Sequence, residues 1–350
     1  MASADRQDDR STGASAPMAR VLRADDPHAL DQAAELLARG DVVALPTETV
    51  YGLAGVSTRS DAIARIYAVK RRPSHNPLIS HVADMAMAER YAHMDEMSFR
   101  LAQAFWPGPL TLVLPLRRDA AGGGITPAST AGGDTAALRA PRGFAQGLIA
   151  RLDLPLAMPS ANRSGRISPT SARHVLDDLG ADLSLIVDAG PAEIGVESTV
   201  ARVRRDGIDI LRAGVITPDQ IAAAAGLEPA QMAGPGTASA LAGQGGPLLS
   251  PGMLGSHYAP RALLRLEARD VAPGEALITF AGQVLPGQAQ AAGVFDLSPS
   301  GDLAEAARRL FELLHAADAT GAAMIAVAPI PDHGIGVAIR DRLARAAAPR

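Results

Sequence analysis

Of the 33 basic side chains in this chain, 32 are arginine and one is lysine, Lys70, which sits in the segment Lys70-Arg71-Arg72-Pro73-Ser74-His75-Asn76-Pro77-Leu78. Arginine presents a planar fork of donors, whereas lysine is a compact, strongly hydrated point charge on a flexible stem. The two differ most where a phosphate or a transition state calls for a point charge. A chain that uses arginine everywhere else therefore marks position 70 as chemically distinct. Arg72, Arg139 and Arg212 add further cations, and Ser160, Asn162, Ser198 and Thr199 add neutral polar groups. No Gly-x-x-x-x-Gly-Lys-Ser/Thr segment exists, so a bound polyphosphate would be held by separate cations and hydroxyls rather than by a P-loop. The absence of cysteine excludes disulfides, thiolate zinc sites and a catalytic thiol.

These polar groups recur at the ends of short apolar runs. Val42 to Leu45 reads as a strand leading into Pro46-Thr47-Glu48-Thr49. Further strands are expected at Leu78–Val82, Thr111–Leu116, Ala136–Ala140, Leu156–Met158, Leu185–Asp188, Thr199–Val203 and Ile208–Leu211. Helical periodicity after Asp26-Pro27 carries Leu30, Ala33, Ala34 and Leu37, with Gly40 as its stop. A second helix, capped by Ser60, carries Ile63, Ile66 and Tyr67 on one face and delivers Lys70 at its C-terminus. Helices near Phe99–Phe105, Phe144–Leu152 and Ser171–Leu179 complete an α/β domain built on one large mixed twisted sheet, and open α/β sheets bind ligands at strand ends. A Gly-, Pro-, Ser- and Ala-rich stretch from Gly234 to Ser256 reads as a linker. Strand, helix, strand and helix at Ala276–Phe280, Asp302–His315, Met324–Ala328 and Val337–Ala346 then give a second, smaller Rossmann-like α/β domain without a Gly-x-Gly-x-x-Gly fingerprint. The expected division is a tail over 1–19, a catalytic domain over 20–228, a linker over 229–260 and a small domain over 261–350.

Six segments occur in an order specific to one family. Pro46-Thr47-Glu48-Thr49-Val50-Tyr51-Gly52-Leu53, Lys70 to Leu78, Phe105-Trp106-Pro107-Gly108-Pro109-Leu110-Thr111, Arg139-Ala140-Pro141, Pro159-Ser160-Ala161-Asn162-Arg163-Ser164-Gly165 and Ser198-Thr199-Val200 together resemble the YrdC-like threonylcarbamoyl-AMP synthases. His257-Tyr258-Ala259-Pro260 and the close of the chain extend the resemblance to the long, two-domain members. One departure lies at Leu254-Gly255-Ser256, where many relatives carry a basic or aromatic pair. The resemblance implies a nucleotidyltransferase that combines L-threonine, bicarbonate or CO2, and ATP into L-threonylcarbamoyladenylate and pyrophosphate. Mg2+ would accompany ATP, and no metal ligand is assigned from the protein. A separate transferase would carry the group to the tRNA adenosine beside the anticodon. By the same resemblance, Thr47, His81, Arg139, Ser160 and Ser198 would hold threonine, with Arg139 on its carboxylate. Lys70, Arg72, Ser74, Thr135, Asn162, Thr170 and Arg212 would contact the nucleotide, Lys70 and Arg72 as the catalytic cations, and Tyr258 would close over the site from the linker.

Composition is compatible with this and excludes little more. A chain of 350 residues, 47% of them apolar, exceeds one hydrophobic core. No apolar stretch reaches the roughly 20 residues of a membrane span, so the expected location is the cytoplasm. The alternative is an RNA- or tRNA-binding module of the same fold without turnover, using a patch of Arg65, Lys70, Arg71 and Arg72. A net charge of -4 and few aromatics argue for weak direct tRNA binding or none. A carbamoyl-phosphate-dependent relative in hydrogenase maturation would need cysteine-rich zinc fingers, which this chain cannot make.

Overall fold

The computed structural model describes residues 18–118, 123–228, 231–234 and 256–349. The expected tail and most of the linker, including Leu254 and Gly255, lie outside the described residues.

The first part of the chain forms a mixed sheet of eleven described strands. They are β1 (Arg20–Arg23), β2 (Val43–Leu45), β3 (Gly52–Val56), β4 (Ile79–His81), β5 (Leu110–Pro115), β6 (Thr135–Arg139), β7 (Leu156–Ala157), β8 (Leu185–Asp188), β9 (Thr199–Arg204), β10 (Gly207–Arg212) and β11 (Met232–Ala233). Their spatial order is β1-β8-β2-β3-β7-β4-β6-β5-β9-β10-β11. The central strands are apolar on both faces and buried, because helices cover both sides. On one side α1 (Ala29–Ala38), α3 (Met85–Tyr91), α4 (Glu96–Phe105), α5 (Phe144–Leu152) and α7 (Pro218–Ala225) enclose Leu37, Leu45, Leu101, Leu112 and Leu148. On the other, α2 (Ser60–Lys70) and α6 (Ala172–Leu179) cover Leu53, Ile63, Ile66 and Val175. Asp84, Asp95, Ser171 and Thr217 cap α3, α4, α6 and α7 through their side chains.

The sequence reading needs correction in places. Ser60 is the first residue of α2 and not its cap; Arg59 occupies that position without a side-chain bond. Strands β1, β3 and β11, helices α3 and α7, and the second-domain strands Leu263–Arg265 and Gly293–Asp296 were not anticipated. The sheet also continues past 228, because Met232–Ala233 pairs with Ile208–Asp209, so the linker starts later than position 229.

The second domain is a parallel sheet of four described strands, β12 (Leu263–Arg265), β13 (Ala276–Thr279), β14 (Gly293–Asp296) and β15 (Met324–Val327), in the order β12-β15-β13-β14. Helices α8 (Leu303–Ala319) and α9 (Gly336–Ala347) pack on it, as the strand–helix alternation requires. Its core of Ile278, Leu310, Phe311, Leu314 and Ile339 is continuous with Val50, Ile167, Val196 and Tyr258. The first three belong to the first domain, so the two domains share apolar surface.

Candidate active site

Register creates the site. Strands β4 and β6 run parallel with His81 opposite Arg139, so two strands end side by side with a histidine and an arginine. At the same rim β9 begins and β10 ends, and a bulge between Ile210 and Arg212 aligns Arg212 with Val200. Arg212 Nε donates to the Ser198 carbonyl at 3.0 Å and its Nη2 to Ser198 Oγ at 3.0 Å, while Thr111 and Ser198 share a hydroxyl contact of 2.7 Å. Gly214 allows this closeness: a Cβ there would lie 2.3 Å from the Thr199 amide nitrogen.

These groups line one cavity. Arg72, Arg139 and Arg212 are its cations, His81, His257 and Tyr258 its rings, and Thr49, Ser160 and Ser198 its hydroxyls. All three arginines are buried. Arg72 donates to the Asn76 and Pro77 carbonyls, and burial holds its pKa down at about 10. Burial likewise lowers Arg212. Arg139 donates to Thr49 Oγ1 at 2.9 Å and forms an ion pair with Glu48 at 2.7 Å. His81 is pushed well below its ordinary value by burial and then by Arg139, and its Nδ1 has no partner within the protein. His257, pushed down to about 3 mainly by burial, likewise has an unpartnered Nδ1. Buried polar atoms normally find partners, so such orphans around a cationic cavity mark a ligand site.

Lys70 stands behind the wall. It is 1% exposed, and its ammonium donates to the carbonyls of Ser160 and Asn162. Helix α2 ends there because Arg71 takes the left-handed conformation at φ 50°, which turns the chain toward Arg72. Burial and then Arg72 push the Lys70 pKa well down.

Seven of the sequence-derived site residues reach the cavity wall: Arg72, His81, Arg139, Ser160, Ser198, Arg212 and Tyr258. Four more are buried but do not line it. Thr47 bonds Thr49 Oγ1 and the Val50 carbonyl. Lys70 and Asn162 support the Ser160 loop, and the Asn162 amide donates to Arg163 and Arg166 carbonyls. Thr170 contacts the His174 ring. Two are not brought to the wall: Ser74 is exposed in the turn after Pro73, and Thr135 begins β6, about 13 Å along the strand from Arg139.

Two buried carboxylates carried no role in the sequence reading: Glu48, paired with Arg139, and Glu197, on the cavity wall. Glu48 is 5% exposed and neutralises Arg139, yet its partner is 91 positions away and invisible to local pattern. Glu197 is buried, accepts from Ser168 Oγ and pairs with Arg342 at 2.8 Å. Its pKa is raised by burial but lowered more by Arg342 and Arg212, with a net fall. Glu48 lies inside the Pro46–Leu53 segment and Glu197 directly precedes Ser198-Thr199-Val200, and that placement was the only signal. Tyr258, 1% exposed, sits at φ 64°, a left-handed conformation that a tyrosine adopts at a cost of about 1–3 kcal/mol. It is held there by the flanking His257 amide on the Arg345 carbonyl and the Ala259 amide on the Gly165 carbonyl.

Around this cavity the buried cations Lys70, Arg72, Arg139, Arg212 and Arg342 face the buried carboxylates Glu48 and Glu197. That excess of positive charge suits a polyanion.

Known proteins share this arrangement. The Sua5/YciO/YrdC family model, described as "Telomere recombination", matches residues 35–214, and the model of the threonylcarbamoyl-AMP synthase C-terminal domain matches 216–348. The threonylcarbamoyl-AMP synthase of Bacillus subtilis strain 168 is 40% identical over 343 residues, covering 94% of this chain and 95% of the relative. That of Pyrococcus abyssi is 36% identical over 335 residues, covering 90% and 92%. The crystal structure of Pyrococcus abyssi Sua5 complexed with L-threonine superposes with a TM-score of 0.78 at 33% identity, covering 91% of this chain and 94% of that one.

Proposed function

This chain belongs to the Sua5/YciO/YrdC family in its two-domain, threonylcarbamoyl-AMP synthase form, and from that premise we propose how its cavity performs the reaction. The enzyme joins L-threonine, CO2 or bicarbonate, and ATP. The threonine nitrogen attacks carbon dioxide, forming the N–C bond and losing a proton. The carbamate oxygen then attacks the α-phosphorus, and pyrophosphate leaves. Neither step requires a covalent enzyme intermediate, so the protein contributes position and charge.

The observation that carries this reading is the set of three buried arginines around one cavity at a sheet rim. Arg139 takes the threonine carboxylate, exchanging part of its pairing with Glu48 for the substrate. Ser160 and Ser198 offer hydroxyls to threonine, and Thr47 and His81 shape that end of the site. Arg72 and Arg212 face the nucleotide, where a guanidinium can hold phosphate oxygens in bidentate fashion. Lys70 fixes the Ser160–Asn162 loop through its carbonyls and sets the local potential from behind. Asn162 and Thr170 act from the same shell, and Tyr258 shields the reacting atoms from water.

Mg2+ enters as the counter-ion of ATP. Among the described residues no group of three or more His, Asp or Glu side chains offers a resident site. The product passes to a separate transferase acting on the tRNA adenosine next to the anticodon. No described helix is long and apolar enough to cross a membrane, and we propose a cytoplasmic location. Lys70 and Arg72 are buried, so the helix end does not present those cations to RNA, and an RNA-binding role without turnover loses its best feature.

The test is pyrophosphate release from Mg-ATP with and without L-threonine and bicarbonate, with serine as the control amino acid. Release that needs both supports the assignment. Threonine-independent release, or none from folded protein, would sink it.

A further inference from the structure

Glu197, beside the cavity hydroxyl of Ser198, is paired with a residue 145 positions away in the other domain. Arg342, on α9, is 0% exposed. Its Nε donates to Glu197 Oε2 at 2.8 Å, its Nη2 to the Ala213 carbonyl at 2.9 Å, and its Nη1 to Asp341 at 2.7 Å. Its guanidinium carbon lies 5.4 Å from the centre of the Tyr258 ring. One side chain of the second domain thus touches the residue before Ser198, the residue after Arg212, and the tyrosine over the cavity.

A second, steric contact acts on the same segment. Gly195 has φ 80°, and a Cβ there would lie 2.3 Å from the Arg308 carbonyl oxygen of α8. The helix backbone therefore rests on the glycine. Val196, the next residue, is buried in the second domain's own apolar cluster. The segment leading to Ser198 meets the second domain at Gly195, Val196 and Glu197 in succession.

We propose that the second domain is a working part of the active site and that Arg342 is its positioning residue. It spans Glu197 and Ala213, and so fixes the spacing between Ser198, which faces threonine, and Arg212, which faces the nucleotide. Among the described residues the side chains of Ser198 and Arg212 hydrogen-bond only to each other, to the Ser198 carbonyl and to Thr111, so the pair needs bracing from its flanking backbone. Lysine in place of Arg342 would reach one acceptor but not the fork of three.

This inference rests on the synthase reading, and the experiment separates the two. In the full-length chain, kcat and KM for ATP and for threonine are measured with thermal unfolding for Arg342→Met, Arg342→Lys, Glu197→Gln, the Arg342→Met/Glu197→Gln pair and Gly195→Ala. Arg340→Gln is the control, since Arg340 on the same helix pairs with exposed Glu267 at 3.3 Å away from the cavity. Arg342→Met is expected to raise the KM for ATP at least tenfold, Arg342→Lys to restore part of it, and the pair to be no worse than its poorer member. Gly195→Ala should raise the same KM while leaving every charged group intact. Wild-type KM in folded Arg342→Met, or a double variant whose losses multiply, overturns the proposal. If Arg342→Met does not fold, wild-type constants in both Arg342→Lys and Gly195→Ala overturn it. Should wild-type protein show no threonine-dependent turnover, the synthase reading fails, and calorimetric ATP affinity in the same variants decides the positioning role with the same expected tenfold loss.

Discussion

The lone lysine proves to be buried, and this sharpens what its replacement should do. Lys70 is 1% exposed and donates to two carbonyls. Arg72 beside it is what the rest of the chain uses for charge. Lys70→Arg keeps the charge but brings a longer, flat group, so the Ser160–Asn162 loop must shift. Activity is expected to fall more than tenfold, equivalent to about 1.4 kcal/mol of transition-state stabilisation, and wild-type turnover in that variant would make the lysine incidental. Glu48 permits a second test. Glu48→Gln leaves Arg139 charged and buried without its partner, which should cost about 3–5 kcal/mol of stability. The threonine carboxylate would then take over the pairing, so L-threonine should raise the melting temperature more in Glu48→Gln than in wild type. An equal or smaller shift, read by thermal unfolding with and without threonine, would place the carboxylate elsewhere.

Strand ends position the site, and the tightest of them is the junction of β9 and β10. Gly214→Ala adds one methyl group against the Thr199 amide, and backbone cannot yield as a side chain would. Overpacking of this kind costs about 1–3 kcal/mol, but the larger effect should be on function, because the atoms displaced carry Ser198 and Arg212. Steady-state kinetics should show a loss beyond tenfold in a protein that still unfolds cooperatively; intact activity would mean that the spacing tolerates about an ångström of error. The same elements show what could be read in advance. Apolar runs bounded by Pro and polar clusters gave β2, β4 to β10, and β13 and β15 of the second domain, since strand burial leaves a local mark. Strand β3 is Gly-Leu-Ala-Gly-Val, and β1 is Arg-Val-Leu-Arg, two apolar residues between arginines; neither carries a strong strand pattern, and pairing across the sheet decides both. The motifs delivered Arg72, His81, Arg139, Ser160, Ser198, Arg212 and Tyr258 to one cavity. The pairs Glu48–Arg139 and Glu197–Arg342 were illegible because each joins segments far apart in sequence.

At the scale of the molecule, the cavity imposes a dependence on pH. His257 is held at about 3 by burial, with Arg72 and Lys70 adding to it against the opposing pull of Glu197, and His81 is held well below its ordinary value by burial and Arg139. In the unfolded chain both titrate near 6.5. Below that pH the unfolded chain takes up protons that the native protein refuses, so the unfolded state binds more and stability falls with acidification. The loss begins near 6.5 and continues until the folded pKa values are reached, at about 1.4 kcal/mol per pH unit for each buried histidine. His257, held near 3, forfeits roughly 2.5 kcal/mol between pH 6.5 and 4.5, a sizeable share of the stability of many domains, and His81 adds to the loss in the same direction. His174, half-buried and stacked on His315 with a ring separation of 4.0 Å across the domain boundary, acts in the same direction but is partly screened by water. Glu197 joins only at lower pH, because a carboxylate held below its ordinary value loses its contribution as it is protonated. Urea unfolding from pH 8 to 4.5 should therefore give a plateau above about pH 7 and a steep decline below 6.5. His257→Gln should remove about one proton from that slope at pH 5.5. A midpoint that stays flat from pH 7 to 5 would mean that the histidines are protonated in the native protein, and the cavity would then have to be wetter and less closed by Tyr258 than its burial indicates.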